Sequence, residues 1–203
     1  MEIIRESNED EMLLEFLRAE YSSRRFNKKL ENILKDMKLS SELIKTGDIS
    51  NSNENMMRRK LMKMYRGYND ENMFENFPKI FKWEYAECKR DDLKNIFYIN
   101  YSYWNELSNN TGSCLEAANN IRNGVEIYNV SNQPSLDGVN YLKHNIFPPI
   151  ILITCDMKKY LLLEGHSRLT VYGLDPTKFD HTYAYIGLCR RGELLNYDRR
   201  LIF

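Results

Sequence analysis

The 203-residue chain is predicted to be an α+β protein, with an all-helical N-terminal region over residues 1–75 and a mixed α/β domain over residues 76–203. Three observations predict it. Apolar residues recur at helical spacing through the first third, with almost no strand-like run before residue 80. From "FPKIFKWEYAE" onward, aromatic and β-branched residues gather into short apolar runs. Those runs then alternate with segments that carry helix caps. Apolar residues make up 42% and aromatics 12%, enough for a packed core, so wholesale disorder is excluded.

In the first region Leu13, Leu14, Leu17 and Tyr21 mark one helix. Phe26, Leu30, Ile33, Leu34 and Met37 mark a second, after a break at Ser22-Ser23. Ser40-Ser41 followed by Glu42 starts a short third helix that ends near Gly47. "DISNSNEN" is a polar connector, and "ENMMRRKLMKMYRGY" resumes as a helix with Met57, Leu61 and Met64 on its apolar side. Its basic residues Arg58, Arg59, Lys60, Lys63 and Arg66 read as a solvated face.

In the second region the aromatic run through "NYSYW" is expected to be strands, with "KRDD" as a turn between them. Ser113 should cap a helix running to Asn123, with Glu116 completing a capping box and Gly124 ending it. "PSLDGVNYLKHNI" is another short helix. Strands near 149–155 and 159–163 should form a hairpin across "DMKK". A helix should then open within two residues of Gly165 and stop at Pro176, and "HTYAYIGLC" supplies a last strand.

The chemistry concentrates at Glu164-Gly165-His166-Ser167-Arg168. Glycine permits backbone angles closed to other residues and lets a ligand approach the main chain. The helix start that follows offers N–H groups and the positive end of a dipole to an anion. His166 and Arg168 add donors, and arginine grips phosphate or carboxylate with two parallel hydrogen bonds. Residues two apart on a helix point about 200° apart, so these side chains share one ligand only if His166 still belongs to the turn. The bland alternative is a tight turn with a cap and an ion pair between Glu164 and Arg168. Secondary candidates are Ser108, Asn110 and Thr111 in "ELSNNTGS", as phosphate contacts or as an ordinary turn. Asp91 and Asp92 could hold Mg²⁺ or be solvated. His181 begins a strand and reads as structural.

The four cysteines form no C-x-x-C pair, and Cys155 and Cys189 sit in apolar runs as small hydrophobes. Lysines plus arginines number 29 and acids 29, which removes a global positive field as an argument for nucleic acid. The acids in "MEIIRESNEDEMLLEF" do not suit a signal peptide, and no apolar stretch is long enough to span a bilayer. A cytoplasmic setting without membrane is expected.

The string "PPIILITCDMKKYLLLEGHSRLTVYGL" resembles the core of the ParB/sulfiredoxin-like superfamily. There a β-hairpin leads into a helix through G-x-x-R, preceded by a helix ending near a glycine and a "P-I" strand. The same order stands here as "CLEAANNIRNG", "FPPIILI" and "YLLLEGHSR". "LLLEGH-x-RLT-x-Y" with the upstream "YWNELSNNT" is similar to a bacterial branch of that superfamily. The resemblance covers about residues 80 to 190. It implies that phosphate or a nucleotide (ATP, ADP or CTP), with or without Mg²⁺, binds at the turn through Gly165, His166, Ser167 and Arg168. Ser108 and Thr111 would add contacts, and Glu164 and His166 would be the catalytic candidates. The D-G-H-H-R motif of free-serine kinases is matched with Glu for Asp and Ser for the second His. The reductant cysteine of sulfiredoxins, which precedes the histidine, is replaced by Gly165.

The expected function is thus binding of a small phosphorylated ligand or nucleotide, as a phosphotransferase, a nucleotide hydrolase or a nucleotide switch. One alternative is a DNA-associated regulator of the ParB type, for which no turn glycine stands among residues 9 to 40. The other is a catalytically silent interaction module.

Overall fold

The computed structural model describes residues 1–23, 25–66 and 77–198. The chain divides into two compact units, Ser7–Pro78 and Met1–Glu6 with Lys79–Phe203. The boundary expected at 75/76 lies outside the described residues.

The first unit is helical. Helix α1 (Glu9–Ser22) starts at Asn8, whose side chain accepts the Glu11 N–H at 2.9 Å, and buries Met12, Leu13, Phe16 and Leu17. Leu30 and Leu34 of α2 (Asn27–Asp36) and Ile44 of α3 (Glu42–Lys45) complete its core with α4 (Ser52–Arg66). On α4 the buried positions are Arg58, Leu61, Met62 and Tyr65, an i, i+3, i+4, i+7 stripe. Of the expected stripe, Leu61 is buried and Met57 half-buried, but Met64 is 57% exposed, so the buried face is turned toward Arg58 and Tyr65. The reason is Arg58. A cation that fills an apolar stripe disguises which face is inside.

Arg58 is 1% exposed. Its guanidinium donates to the Leu43 carbonyl at 3.0 Å, the Asp48 carbonyl at 2.7 Å, Glu54 at 2.9 Å and the Asn55 side chain. Arg59 pairs with Glu9 and, at 2.7 Å, with Asp10. Arg66 pairs with Glu20 at 2.6 Å. The solvated basic face expected for α4 is therefore corrected at these three positions, because acids from α1 and carbonyls from the α3 region meet it. Gly67 and Tyr68, at the end of the expected helix, lie outside the described residues.

The second unit holds a sheet of six strands among the described residues, in the order β1-β2-β6-β4-β5-β3. These are β1 (Glu2–Ser7), β2 (Ile80–Glu87), β3 (Ile96–Tyr98), β4 (Ile150–Thr154), β5 (Tyr160–Glu164) and β6 (Tyr183–Cys189). β4 and β5 form the expected antiparallel hairpin, while β4 also runs parallel to β6 and β5 parallel to β3. Every residue of β4 is buried, as a strand covered on both faces requires. In the hairpin turn Asp156 accepts the Lys158 and Lys159 N–H groups at 2.8 and 3.1 Å.

Three features of the sheet and its connections differ from expectation. β1 was not foreseen. It is an edge strand with an almost wholly exposed burial pattern, so no alternation marks it. Its region is tied by the Met1 amine on Asp92 at 2.7 Å and by Glu2 on Lys89 at 2.8 Å. "KRDD" opens a 3-10 helix (Arg90–Asn95) rather than a simple turn. The aromatic run leaves the sheet after Tyr98 and becomes helix α5 (Ser102–Leu107).

Helix α6 (Cys114–Arg122) is capped by Ser113, whose hydroxyl accepts the Leu115 N–H at 3.2 Å. Glu116 instead accepts from Asn109 at 2.8 Å, so the expected capping box does not form. Helices α7 (Gln133–Tyr141), α8 (His166–Leu174) and α9 (Arg191–Tyr197) complete the unit. α8 opens at the residue after Gly165, as expected.

Candidate functional site at the first turn of α8

β5 ends at Glu164 and the chain reverses at Gly165, with φ 106° and ψ 24°. A side chain there would be strained in angle and crowded, since a Cβ would lie 2.8 Å from Ile150 Cγ2 and 3.3 Å from Arg168 Nε. The glycine is thus required by the turn and by the guanidinium beside it. The first helical bond runs from the Leu169 N–H to the Gly165 carbonyl at 2.8 Å. The N–H groups of the first turn therefore lie outside the helical ladder. Ser167 is exposed on that turn.

His166 is already the first residue of α8, and its ring turns inward. It stacks on Tyr98 with centroids 5.8 Å apart and on Trp104 at 5.4 Å, with Tyr101 tilted at 6.1 Å. Its carbonyl accepts the Thr170 hydroxyl at 2.8 Å, and Thr170 shares a 2.7 Å hydrogen bond with the Tyr98 hydroxyl. Burial pushes the Tyr98 hydroxyl well above its ordinary pKa. Tyr101 is 40% exposed and forms the outer edge of this aromatic cluster.

Arg168 goes elsewhere. Its Nη1 donates to the carbonyls of Pro148 at 2.9 Å and Pro149 at 2.7 Å, and Nη2 stands 3.8 Å from Glu164 Oε1. The side chain is 14% exposed. Those two carbonyls lie just before β4, so the guanidinium fastens the approach to one strand onto the helix that follows its hairpin partner. His166 and Arg168 do not converge. The condition that His166 belong to the turn is not met, and the two side chains have different partners.

Ser108 and Thr111 are brought near the cluster, since the Tyr98 N–H donates to the Gly112 carbonyl at 2.8 Å. Their hydroxyls serve the loop itself. Ser108 Oγ donates to the Trp104 carbonyl at 2.7 Å and accepts the Gly112 N–H at 3.0 Å. Thr111 Oγ1 donates to the Ser108 carbonyl at 2.6 Å and accepts the Ser113 N–H at 3.2 Å. This is the ordinary-turn alternative, built around positive φ at Asn109, Asn110 and Gly112.

Asp92 accepts the Lys89 N–H at 2.8 Å as well as the Met1 amine. Among the described residues no group of three His, Cys, Asp or Glu side chains is placed to hold a metal ion. His181 precedes β6 in a positive-φ position and contacts Glu87. All four cysteines are thiols; burial pushes those of Cys88, Cys114 and Cys189 up to about 12, and Cys155 is half-buried rather than buried.

Tyr98, Tyr101 and Trp104 were the residues that sequence reasoning missed. Their signal was present in "YINYSYW", an aromatic density absorbed into the expectation of strands. No protein-family model matches the chain, and neither a curated protein nor a solved structure does. Among the described residues no helix is long and apolar enough to cross a membrane.

Proposed function

We propose that the α/β unit is a ParB/sulfiredoxin-like module that binds a phosphate-bearing small molecule, best a nucleotide such as ATP, ADP or CTP, at the first turn of α8. The observation that carries this reading is the meeting of a left-handed glycine at a helix start with a cluster of rings that includes the exposed Tyr101. Phosphate would take the N–H groups and the dipole of the first turn. A base would stack on Tyr101 and Trp104, a contact worth roughly 1–3 kcal/mol per base in nucleic-acid complexes. In this reading Ser167 is the side chain that reaches the phosphate. Arg168 positions the turn, and its charge beside Gly165 adds to the field an anion meets. Glu164, half-buried next to Arg168, is the group for a base or for Mg²⁺ in phosphotransfer or hydrolysis. The four thiols fit a reducing compartment such as the cytoplasm.

The alternatives, a DNA-associated regulator or a silent interaction module, gain no comparable support. Arg58, Arg59 and Arg66 are committed to acids and carbonyls within the helical unit. Thermal melts with ATP, ADP, CTP and phosphorylated metabolites, with and without Mg²⁺, test the proposal. A ligand at a hundred times its dissociation constant stabilises by about 2.7 kcal/mol. Stabilisation by a nucleotide that disappears in Tyr101→Ala supports the reading. Melts unchanged by every nucleotide and metabolite count against it.

A further inference from the structure

At the other end of α8 lies a cleft of about 390 Å³, between the segment that follows α7 and the turn that leads into β6. That volume falls in the roughly 300–1,000 Å³ range of small-molecule sites. Lys143 and His144 line it from the first segment, Lys178 and His181 from the second. Neither lysine side chain has an ion-pair or hydrogen-bond partner among the described residues. The acids nearby are otherwise engaged: Asp180 accepts the Arg90 N–H at 2.7 Å, and Glu87 contacts His181.

The neutral polar side chains of the wall are turned onto their own backbone or a neighbouring acid. Asn145 donates to the Tyr141 carbonyl at 3.0 Å, Thr177 to Asp175 at 2.6 Å and Thr182 to the Phe179 carbonyl at 2.7 Å. Tyr172 contributes to the wall, with its hydroxyl buried beside the Phe147 backbone.

We propose that this cleft binds a small phosphate-bearing molecule, with Lys143 and Lys178 on the phosphate and His144 and His181 as further donors. Two lysines face one aspartate here, so the cleft favours an anion. The lining contains no arginine. Lysine meets phosphate as a point charge on a flexible stem, without the two-pronged grip that arginine gives phosphate and carboxylate alike. The volume exceeds what a phosphate group alone fills, and Leu142 with the exposed Ile146 takes the apolar remainder of the ligand. Tyr172 is seven residues beyond Gly165, about 10 Å along the helix, so this is a second site, independent of the first turn of α8.

The chain has 3 histidines, two in the cleft and one at the α8 turn, so their ring NMR signals report which site is filled. Each signal is assigned by its own His→Gln variant. Titration with inorganic pyrophosphate should move the His144 and His181 signals saturably in the millimolar range or below. Lys143→Gln with Lys178→Gln should weaken that binding by about tenfold or more, with no change in melting temperature. Lys143→Arg with Lys178→Arg keeps both charges and should retain it. Signals of His144 and His181 that stay still, or that drift without saturating, would overturn the proposal. So would equal binding by the Lys→Gln double variant. A nucleotide response at His166 alone would leave the α8-turn reading standing while removing this one.

Discussion

Arg58 in the helical unit and Arg168 in the α/β unit are each turned onto main-chain carbonyls and packed against a glycine. A Cβ at Gly47 would fall on the Leu43 carbonyl oxygen and 2.5 Å from Arg58 Nη1; one at Gly165 would be 3.3 Å from Arg168 Nε. The difference lies in enclosure. Arg58 is sealed, with four acceptors around it, Glu54 among them. Arg168 keeps some exposure, holds two prolyl carbonyls and stands at a longer distance from its acid. An arginine in an apolar stripe and an arginine in a phosphate-type motif thus serve the same local purpose. Charge pattern alone does not separate a ligand contact from a structural tie.

The largest effect is expected at Arg58. Arg58→Met keeps most of the volume but strands the Leu43 and Asp48 carbonyls and removes the partner of Glu54. A loss of about 2–5 kcal/mol is expected, about 1–3 kcal/mol for each stranded carbonyl, read as a fall in the denaturant midpoint of the helical unit. A midpoint within experimental error of the parent would show that the buried guanidinium is dispensable. Arg168→Ala should cost less, about 1.5–3 kcal/mol, read as an earlier thermal melt without any ligand. An unchanged melt with weakened nucleotide binding would return Arg168 to the role of a direct phosphate contact.

The glycines sharpen the comparison. Gly165→Ala meets both a positive φ and the methyl of Ile150, so a loss of about 1–3 kcal/mol is expected. Gly47→Ala is opposed by close approach, with an overpacking cost of about 1–3 kcal/mol. Adding Arg168→Ala to the first, or Arg58→Met to the second, should give less than the sum of the single losses, because each glycine and its arginine share one space. Strict additivity in urea melts would separate them. The smallest effect belongs to Lys60, exposed on the same helix as Arg58. Lys60→Gln should stay within about 0.5 kcal/mol, and a larger shift would mean the solvated-face reading fails even there.

Elements whose signals are local can be read from the amino-acid order alone. The apolar runs on either side of "DMKK" predicted the hairpin, and the glycine after them predicted where α8 begins. Ser113 marked the start of α6, although the reciprocal contact from Glu116 was lost to Asn109. Period, cap and turn chemistry act over a few residues, so they can be read along the chain. Tertiary structure decided the rest. Edge strand β1 has little burial to impose a pattern, and the apolar face of α4 was misplaced because Arg58 sits within it. The partners of Arg168 are carbonyls 19 and 20 residues upstream, and the rings around His166 come from residues 98 to 104. A carbonyl acceptor exists at every residue and has no side-chain signature. Only the folded chain selects which carbonyl, and which ring, a given side chain meets.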